Sequence, residues 1–170
     1  MEEIETPLKQ PVRSRNVSWA DPQASAELGK QLSGLAYLQA LHNGEIPPPP
    51  IAELMNMRLA EVEEGRVVFT LEPAEFHYNP IGSVHGGVAA TLLDSCMGCA
   101  VQSVLPLGTG YTTIELKVNY LRALSSQTGL VYAEGKIIHR GGRIATAEGR
   151  ITDASGKLYA HGTTTCILLR

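Results

Sequence analysis

The sequence predicts an α+β fold, an antiparallel sheet wrapped around one long central helix, with an extra helix at the N-terminus. Three observations carry this prediction. Residues 84–105 form the longest apolar stretch, and Val88, Leu92, Cys96 and Cys99 recur in it at helical spacing. From residue 112 onward the chain turns to β-branched runs separated by short turns. Ahead of the long helix, residues 55–62 and 66–71 flank Glu63-Glu64-Gly65, the pattern of a hairpin. A buried helix against consecutive antiparallel strands is a two-layer arrangement.

The elements follow in order. Residues 1–23 mix charge and proline without periodicity and read as an arm or strap on the domain. Residues 24–43 carry Leu28, Leu32, Leu35, Leu38 and Leu41, one face of a single amphipathic helix that Asn43-Gly44 can end. Pro47-Pro48-Pro49-Pro50 is a stiff extended connector. Residues 73–83 are a loop. Strands are expected at 112–121, 130–139, 144–152 and 157–168, with Gly141-Gly142 and residues 153–156 as turns. This gives an N-terminal arm, helix and connector over 1–50 and the sheet domain over 51–170.

A chain of 170 residues can bury one core unaided. Net charge is −3, which argues against a generally basic nucleic-acid surface. Three cysteines, Cys96, Cys99 and Cys166, do not make a disulfide framework. No apolar run approaches the roughly 20 residues of a membrane helix, and residues 1–15 lack the apolar centre of a signal peptide. The expected location is cytoplasmic, with no membrane or nucleic-acid partner.

The chemistry concentrates in Asn79-Pro80-Ile81-Gly82-Ser83-Val84-His85-Gly86-Gly87 and the helix behind it. The first N–H groups of a helix have no internal partner, and the helix dipole is positive there. Glycines keep those groups sterically open, so the turn can bind an oxygen that becomes negative during acyl transfer. Asp94 is the only formal charge between residues 84 and 105. An unpaired buried carboxylate costs several kcal/mol, so Asp94 needs a purpose, and a partly desolvated carboxylate suits a general base. Gly86 and Asp94 stand eight residues apart, roughly 12 Å along a helix at 1.5 Å per residue. Both act on one carbonyl only if the aspartate comes from a second copy of the chain, in a two-fold dimer.

With Asn79, the His85-Gly86-Gly87 turn, Ala90-Thr91-Leu92-Leu93-Asp94, and Thr113 to Leu121 with its Asn119-Tyr120-Leu121, residues 51–168 resemble the PaaI-like acyl-CoA thioesterases of the hotdog superfamily. The resemblance implies a homodimer with a continuous sheet and composite active sites, commonly paired into a dimer of dimers. It implies hydrolysis of an acyl-CoA to carboxylic acid and free CoA. Asp94 then matches the general base or nucleophile, and Gly86 the backbone donor to the thioester oxygen. His85 and Asn79 match polar groups supporting the carbonyl or the leaving sulfur, and Thr113 a hydroxyl that helps place water. One turn after Asp94 stands Gly98, so a family hydroxyl found there is absent.

No cofactor is expected beyond coenzyme A as part of the substrate. Its phosphates need local cations: Arg140-Gly141-Gly142-Arg143 offers two guanidiniums on a glycine turn, and Arg122 and Lys117 are further candidates. Leu54, Met57, Met97, Val101 and the N-terminal helix are expected to shape the acyl pocket. Cys96 and Cys99 read as core, His77 as a surface loop residue, and Tyr78, Tyr111 and Tyr120 as ordinary aromatics. The histidines show no metal-ligand spacing, and no metal site is expected. Two competing readings are a non-catalytic acyl-CoA binding module and a hydratase or dehydratase of the same superfamily pairing His85 with Asp94.

Overall fold

The structure, a computed structural model, describes residues 11–169. Its elements are α1 (Pro22–Gly29), α2 (Gly34–His42), α3 (Pro50–Met55), β1 (Met57–Glu63), β2 (Arg66–Leu71), a short 3-10 turn (Glu75–His77), α4 (Gly86–Ser103), β3 (Gly110–Tyr120), β4 (Val131–Arg140), β5 (Ile144–Asp153) and β6 (Leu158–Leu169). The six strands form one sheet in the order β1-β2-β4-β5-β6-β3, antiparallel throughout. Helix α4 touches all six strands. This is the arrangement expected from the sequence, with the boundaries of the strands and of α4 moved by at most two residues.

What lets α4 lie so close is a row of glycines. Gly135, Gly149 and Gly162 stand opposite one another on β4, β5 and β6. A Cβ at Gly135 would lie 2.3 Å from the Cys96 carbonyl oxygen, and one at Gly149 would lie 2.9 Å from Met97 Cγ. One at Gly162 would lie 2.5 Å from the Lys117 carbonyl oxygen. At Gly135 strand backbone therefore meets helix backbone, at Gly149 it meets the Met97 side chain, and at Gly162 the close neighbour is the backbone of β3. Around this crossing Leu92, Leu93, Cys96, Met97 and Val101 are fully buried. Gly135→Ala is expected to destabilise the domain by about 3 kcal/mol, because neither the helix nor the central strand can yield. Thermal unfolding checks it, with Gly110→Ala, where a Cβ meets only Leu169 Cβ at 3.9 Å, as the neutral control.

The N-terminal region departs from the expected single helix over 24–43. The chain breaks between α1 and α2, where Ser33 caps α2 by accepting from the Ala36 N–H at 3.3 Å. The next residue explains the break. A Cβ on Gly34 would lie 1.8 Å from the Gln102 carbonyl oxygen, and the Gly34 N–H donates to the Leu105 carbonyl at 3.0 Å. The chain is pressed onto the end of α4 there, and a new helix starts from that contact. A second difference is α3. Pro50 is not the end of an extended connector but the first residue of a helix, where proline lacks no needed N–H. The helix stops at Asn56 in the left-handed conformation (φ 54°).

Leu38 and Ala52 belong to the same buried cluster as the sheet and α4, so the N-terminal helices share its core. The strap reading concerns residues 1–23, of which 1–10 lie outside the described residues. Residues beyond them do fasten to α3. Arg15 donates to the carbonyls of Glu53 and Leu54 at 2.7 and 2.8 Å and stacks over Phe76, and Arg13 pairs with Glu75 at 2.7 Å. Among the described residues no helix is long and apolar enough to cross a membrane.

Candidate active site

The turn entering α4 is built from its own backbone. Asn79 folds the loop: its side-chain oxygen accepts from the N–H groups of Ile81 and Ser83, and its amide donates to Ser83 Oγ. The backbone N–H of Asn79 reaches the Ser83 carbonyl at 2.8 Å, and Gly82 turns with φ 81°. Asn79 thus holds the turn in shape, with its side-chain groups engaged inside the loop. His85 then caps α4. Its Nδ1 accepts from the Gly87 N–H at 2.8 Å, and its carbonyl accepts from the Val88 N–H. A Cβ on Gly87 would fall 2.8 Å from that Nδ1, so the cap needs glycine. With Nδ1 as acceptor, the neutral ring carries its proton on Nε2, exposed on the surface.

One N–H at this helix start stays open. Gly87 is capped and Val88 is bonded, but the Gly86 N–H has no acceptor among the described residues. It borders a groove of about 320 Å³ with Ser83, His85, Tyr120, Arg122 and Tyr159. A Cβ on Gly86 would meet the Tyr120 ring at 3.3 Å. No acidic residue occupies the first turn, so nothing offsets the positive end of the helix.

Asp94 lies elsewhere on α4. It is half-buried and accepts from Thr113 Oγ1 at 2.9 Å through Oδ1. Oδ2 has no partner among the described residues. A bulge after Thr113 shifts the inward-facing residues of β3 from Tyr111 and Thr113 to Leu116 and Val118. Asp94 borders a second cavity, about 330 Å³, mostly apolar, walled by Leu38 and Leu41 of α2, Pro48 and Pro49, Ala52 of α3, Met57, Phe69, Cys99 and Tyr111. The two cavities share no residue. One chain therefore does not bring Gly86 and His85 together with Asp94, and the pair a hydratase would need is not formed within it.

Of the expected wall residues, Met57 and α2 line the cavity. Met97 and Val101 are instead fully buried beneath the sheet, and Leu54 is exposed on the outer side of α3. The cations divide likewise. Arg122 borders the Gly86 groove and donates to the Leu158 carbonyl. The Arg140–Arg143 turn lies on the ladder row that runs from Thr113 through Cys166 and Ala145 to Arg140, at the Asp94 end of the sheet. Arg140 and Arg143 are exposed and make no ion pair among the described residues, and Gly142 sits between them.

His77 is not a surface residue. It is buried, its Nδ1 accepts from the Ala74 N–H at 3.1 Å, and its Nε2–H donates to the Met55 carbonyl at 3.0 Å. Its carbonyl accepts from the His85 N–H at 2.8 Å, which ties the turn before α4 to α3. Burial first, with Arg15 nearby, lowers its pKa below the ordinary 6.5. Protonation would also break the bond from Ala74. The stability it contributes is therefore complete above about pH 6.5 and lost as pH falls through the lowered value. His77→Gln is expected to cost about 1–2 kcal/mol at pH 7 and to show a shallower stability loss between pH 7 and 5 than wild type. Urea unfolding at both values checks this, and equal slopes would contradict it.

Cys96 and Cys99 are held as neutral thiols by burial. Burial pushes the Cys99 thiol up to about 12, and Cys96 is raised further for the same reason. The residues that sequence reasoning passed over are Tyr120, against Gly86, and Tyr111, in the Asp94 cavity. The two-residue spacing of Tyr111 and Thr113 on a strand was the signal that they share a face.

With this geometry in view, relatives can be compared. A family model described as the thioesterase superfamily matches residues 81–160, the span from the turn before α4 to β6. A 1,4-dihydroxy-2-naphthoyl-CoA hydrolase of Listeria monocytogenes is 31% identical over 91 residues, 54% of this chain and 72% of that one. A Halobacterium salinarum protein named as an esterase is 54% identical over 43 residues, 24% of this chain and 28% of that protein's length. Among solved structures, a phenylacetic acid degradation-related protein of Ralstonia eutropha superposes with TM-score 0.70 at 26% identity, covering 77% of this chain and 98% of that one. The Escherichia coli PaaI protein superposes with TM-score 0.69 at 21% identity, covering 82% and 96%, a likeness of fold. The chain belongs to the thioesterase superfamily and has its hotdog fold.

Proposed function

We propose that this chain hydrolyses an acyl-CoA thioester to a carboxylic acid and free CoA, in composite sites formed by two copies of itself. The observation that carries the reading is Asp94, the one charged side chain on α4, held by Thr113 at the wall of an apolar cavity. The open Gly86 N–H supports it from the other side, as a donor aimed where an oxyanion would form.

The dimer is supported by two surfaces of the same chain. Strand β3 is a free sheet edge of 11 residues, with Ile114 and Tyr120 exposed on it. A long unpaired edge invites a second copy. Helix α4 also leaves a half-buried stripe through Gly87, Thr91, Asp94, Ser95 and Cys99. Pairing β3 with its two-fold copy lays these stripes together and sets the Gly86 turn of one protomer beside Asp94 of the other.

In the reaction, Gly86 N–H holds the thioester oxygen, aided by the Nε2–H of His85. Asp94 takes a proton as water adds to the carbonyl carbon, or attacks it directly. The tetrahedral adduct collapses with cleavage of the C–S bond, and the thiolate leaves and gains a proton; after direct attack, water then cleaves the acyl–Asp94 anhydride, releasing the acid and restoring the carboxylate. The apolar cavity receives the acyl group. Arg122, Arg140 and Arg143 supply the positive charge for CoA phosphates, the last two on the turn that contains Gly142. Thiol release from phenylacetyl-CoA, 4-hydroxybenzoyl-CoA and octanoyl-CoA tests the reading. Release above background supports it. Binding of all three without release would favour an acyl-CoA binding module instead.

A further inference from the structure

We infer that Tyr111 positions the attacking water beside Asp94, its hydroxyl standing in for the side chain that Gly98 lacks; this rests on the hydrolytic reading above. Gly98 lies one turn after Asp94, on the same face of α4. A Cβ there would fall 2.6 Å from Tyr111 Oη, so the hydroxyl already occupies the place of that side chain. The hydroxyl therefore stands over the stretch of α4 that follows Asp94, in the wall of the cavity that both residues line, where a water can bridge the two groups.

Three further observations agree. Tyr111 and Thr113 alternate on β3 and share its inward face. Tyr111 lines the same cavity as Asp94, and its hydroxyl has no hydrogen-bond partner among the described residues. Burial, then the neighbouring Cys99, Cys166 and Asp94, hold its pKa well above the ordinary 10, so it remains a neutral hydroxyl.

The hydrogen-bond capacity of a single water is then filled without conflict. Thr113 spends its proton on Asp94 Oδ1 and keeps lone pairs free. The water donates one hydrogen to Asp94 Oδ2 and the other to Thr113 Oγ1, and accepts from the Tyr111 O–H. Its remaining lone pair faces the carbonyl carbon. On attack, the new C–O bond forms from that lone pair and the proton moves to Asp94. Tyr111 exchanges no proton; it acts through the water, as a positioning residue.

The test compares wild type, Tyr111→Phe, Asp94→Asn and the double variant Tyr111→Val with Gly98→Thr, on phenylacetyl-CoA and octanoyl-CoA. The expected result is that Tyr111→Phe lowers kcat about 10- to 100-fold with KM within about threefold, while melting temperature is unchanged. The double variant, which returns a hydroxyl at the neighbouring position, is expected to recover most of the loss. Unchanged kcat in Tyr111→Phe, or a change confined to KM, would overturn the proposal and make Tyr111 a wall of the acyl cavity. So would a folded double variant no faster than Tyr111→Phe. An Asp94→Asn chain with wild-type turnover removes Asp94 from the chemistry and the proposal with it, whereas a wild type that cleaves neither thioester counts against the hydrolytic reading itself.

Discussion

Asp94→Asn is expected to lower kcat about 10³-fold while the protein stays folded, the usual cost of removing a placed general base. The substitution is nearly isosteric, and the Asn side-chain oxygen can still accept from Thr113 Oγ1 as Oδ1 does now at 2.9 Å. What disappears is the basicity of the second oxygen. A neutral amide also costs less to bury than a carboxylate, so stability should hold or rise. Initial rates of thiol release, read beside thermal unfolding of the same preparation, check both halves. A folded variant within about tenfold of wild type would remove Asp94 from the chemistry. Whether Asp94 acts as base or nucleophile is separable by a single turnover in ¹⁸O water. Direct attack followed by hydrolysis of the anhydride at the Asp94 carboxyl carbon leaves label in Asp94, which general-base attack never does, so label in Asp94 establishes direct attack.

Gly86→Pro is expected to lower kcat about 10²- to 10³-fold, the range for loss of one oxyanion donor. Proline deletes the N–H and is otherwise suited to this position. It is the first residue of α4, where no helical bond is lost. The preceding His85 sits at φ −61° and ψ 135°, the extended conformation that a residue before proline prefers. The new Cβ meets the Tyr120 ring at 3.3 Å, and Tyr120 is 57% exposed and can move aside. Loss of rate with unchanged helix content is the expected pair of readings from kinetics and circular dichroism. Full activity would mean that another donor holds the oxygen.

Much of this was legible in the sequence because it depends on periodicity. The apolar run that became α4 and the alternating strands were readable from spacing alone. So was the separation of Gly86 from Asp94, which needs only the helical rise. What the sequence did not disclose are contacts between segments distant in the chain. Gly34 breaks the N-terminal helix because it meets Gln102, and nothing local to residues 30–34 says so. His77 looked like a loop residue, yet its two ring nitrogens bond to Ala74 and Met55, the latter 22 residues away. Tyr111 reads as one more strand aromatic until Gly98 is seen against its hydroxyl. Met97 and Val101 carry the same apolar signal as a pocket wall, and only the fold separates a core residue from a lining one.

The central claim is that Gly86 and Asp94 of one site belong to different protomers. The most direct test mixes the two disabled chains, Asp94→Asn and Gly86→Pro, by co-expression or subunit exchange. In a mixed dimer one composite site carries both lesions and the other carries neither. Random pairing makes half the dimers mixed, so about a quarter of wild-type activity should return. Activity that stays at the average of the two variants alone would contradict the account and confine each site to one chain.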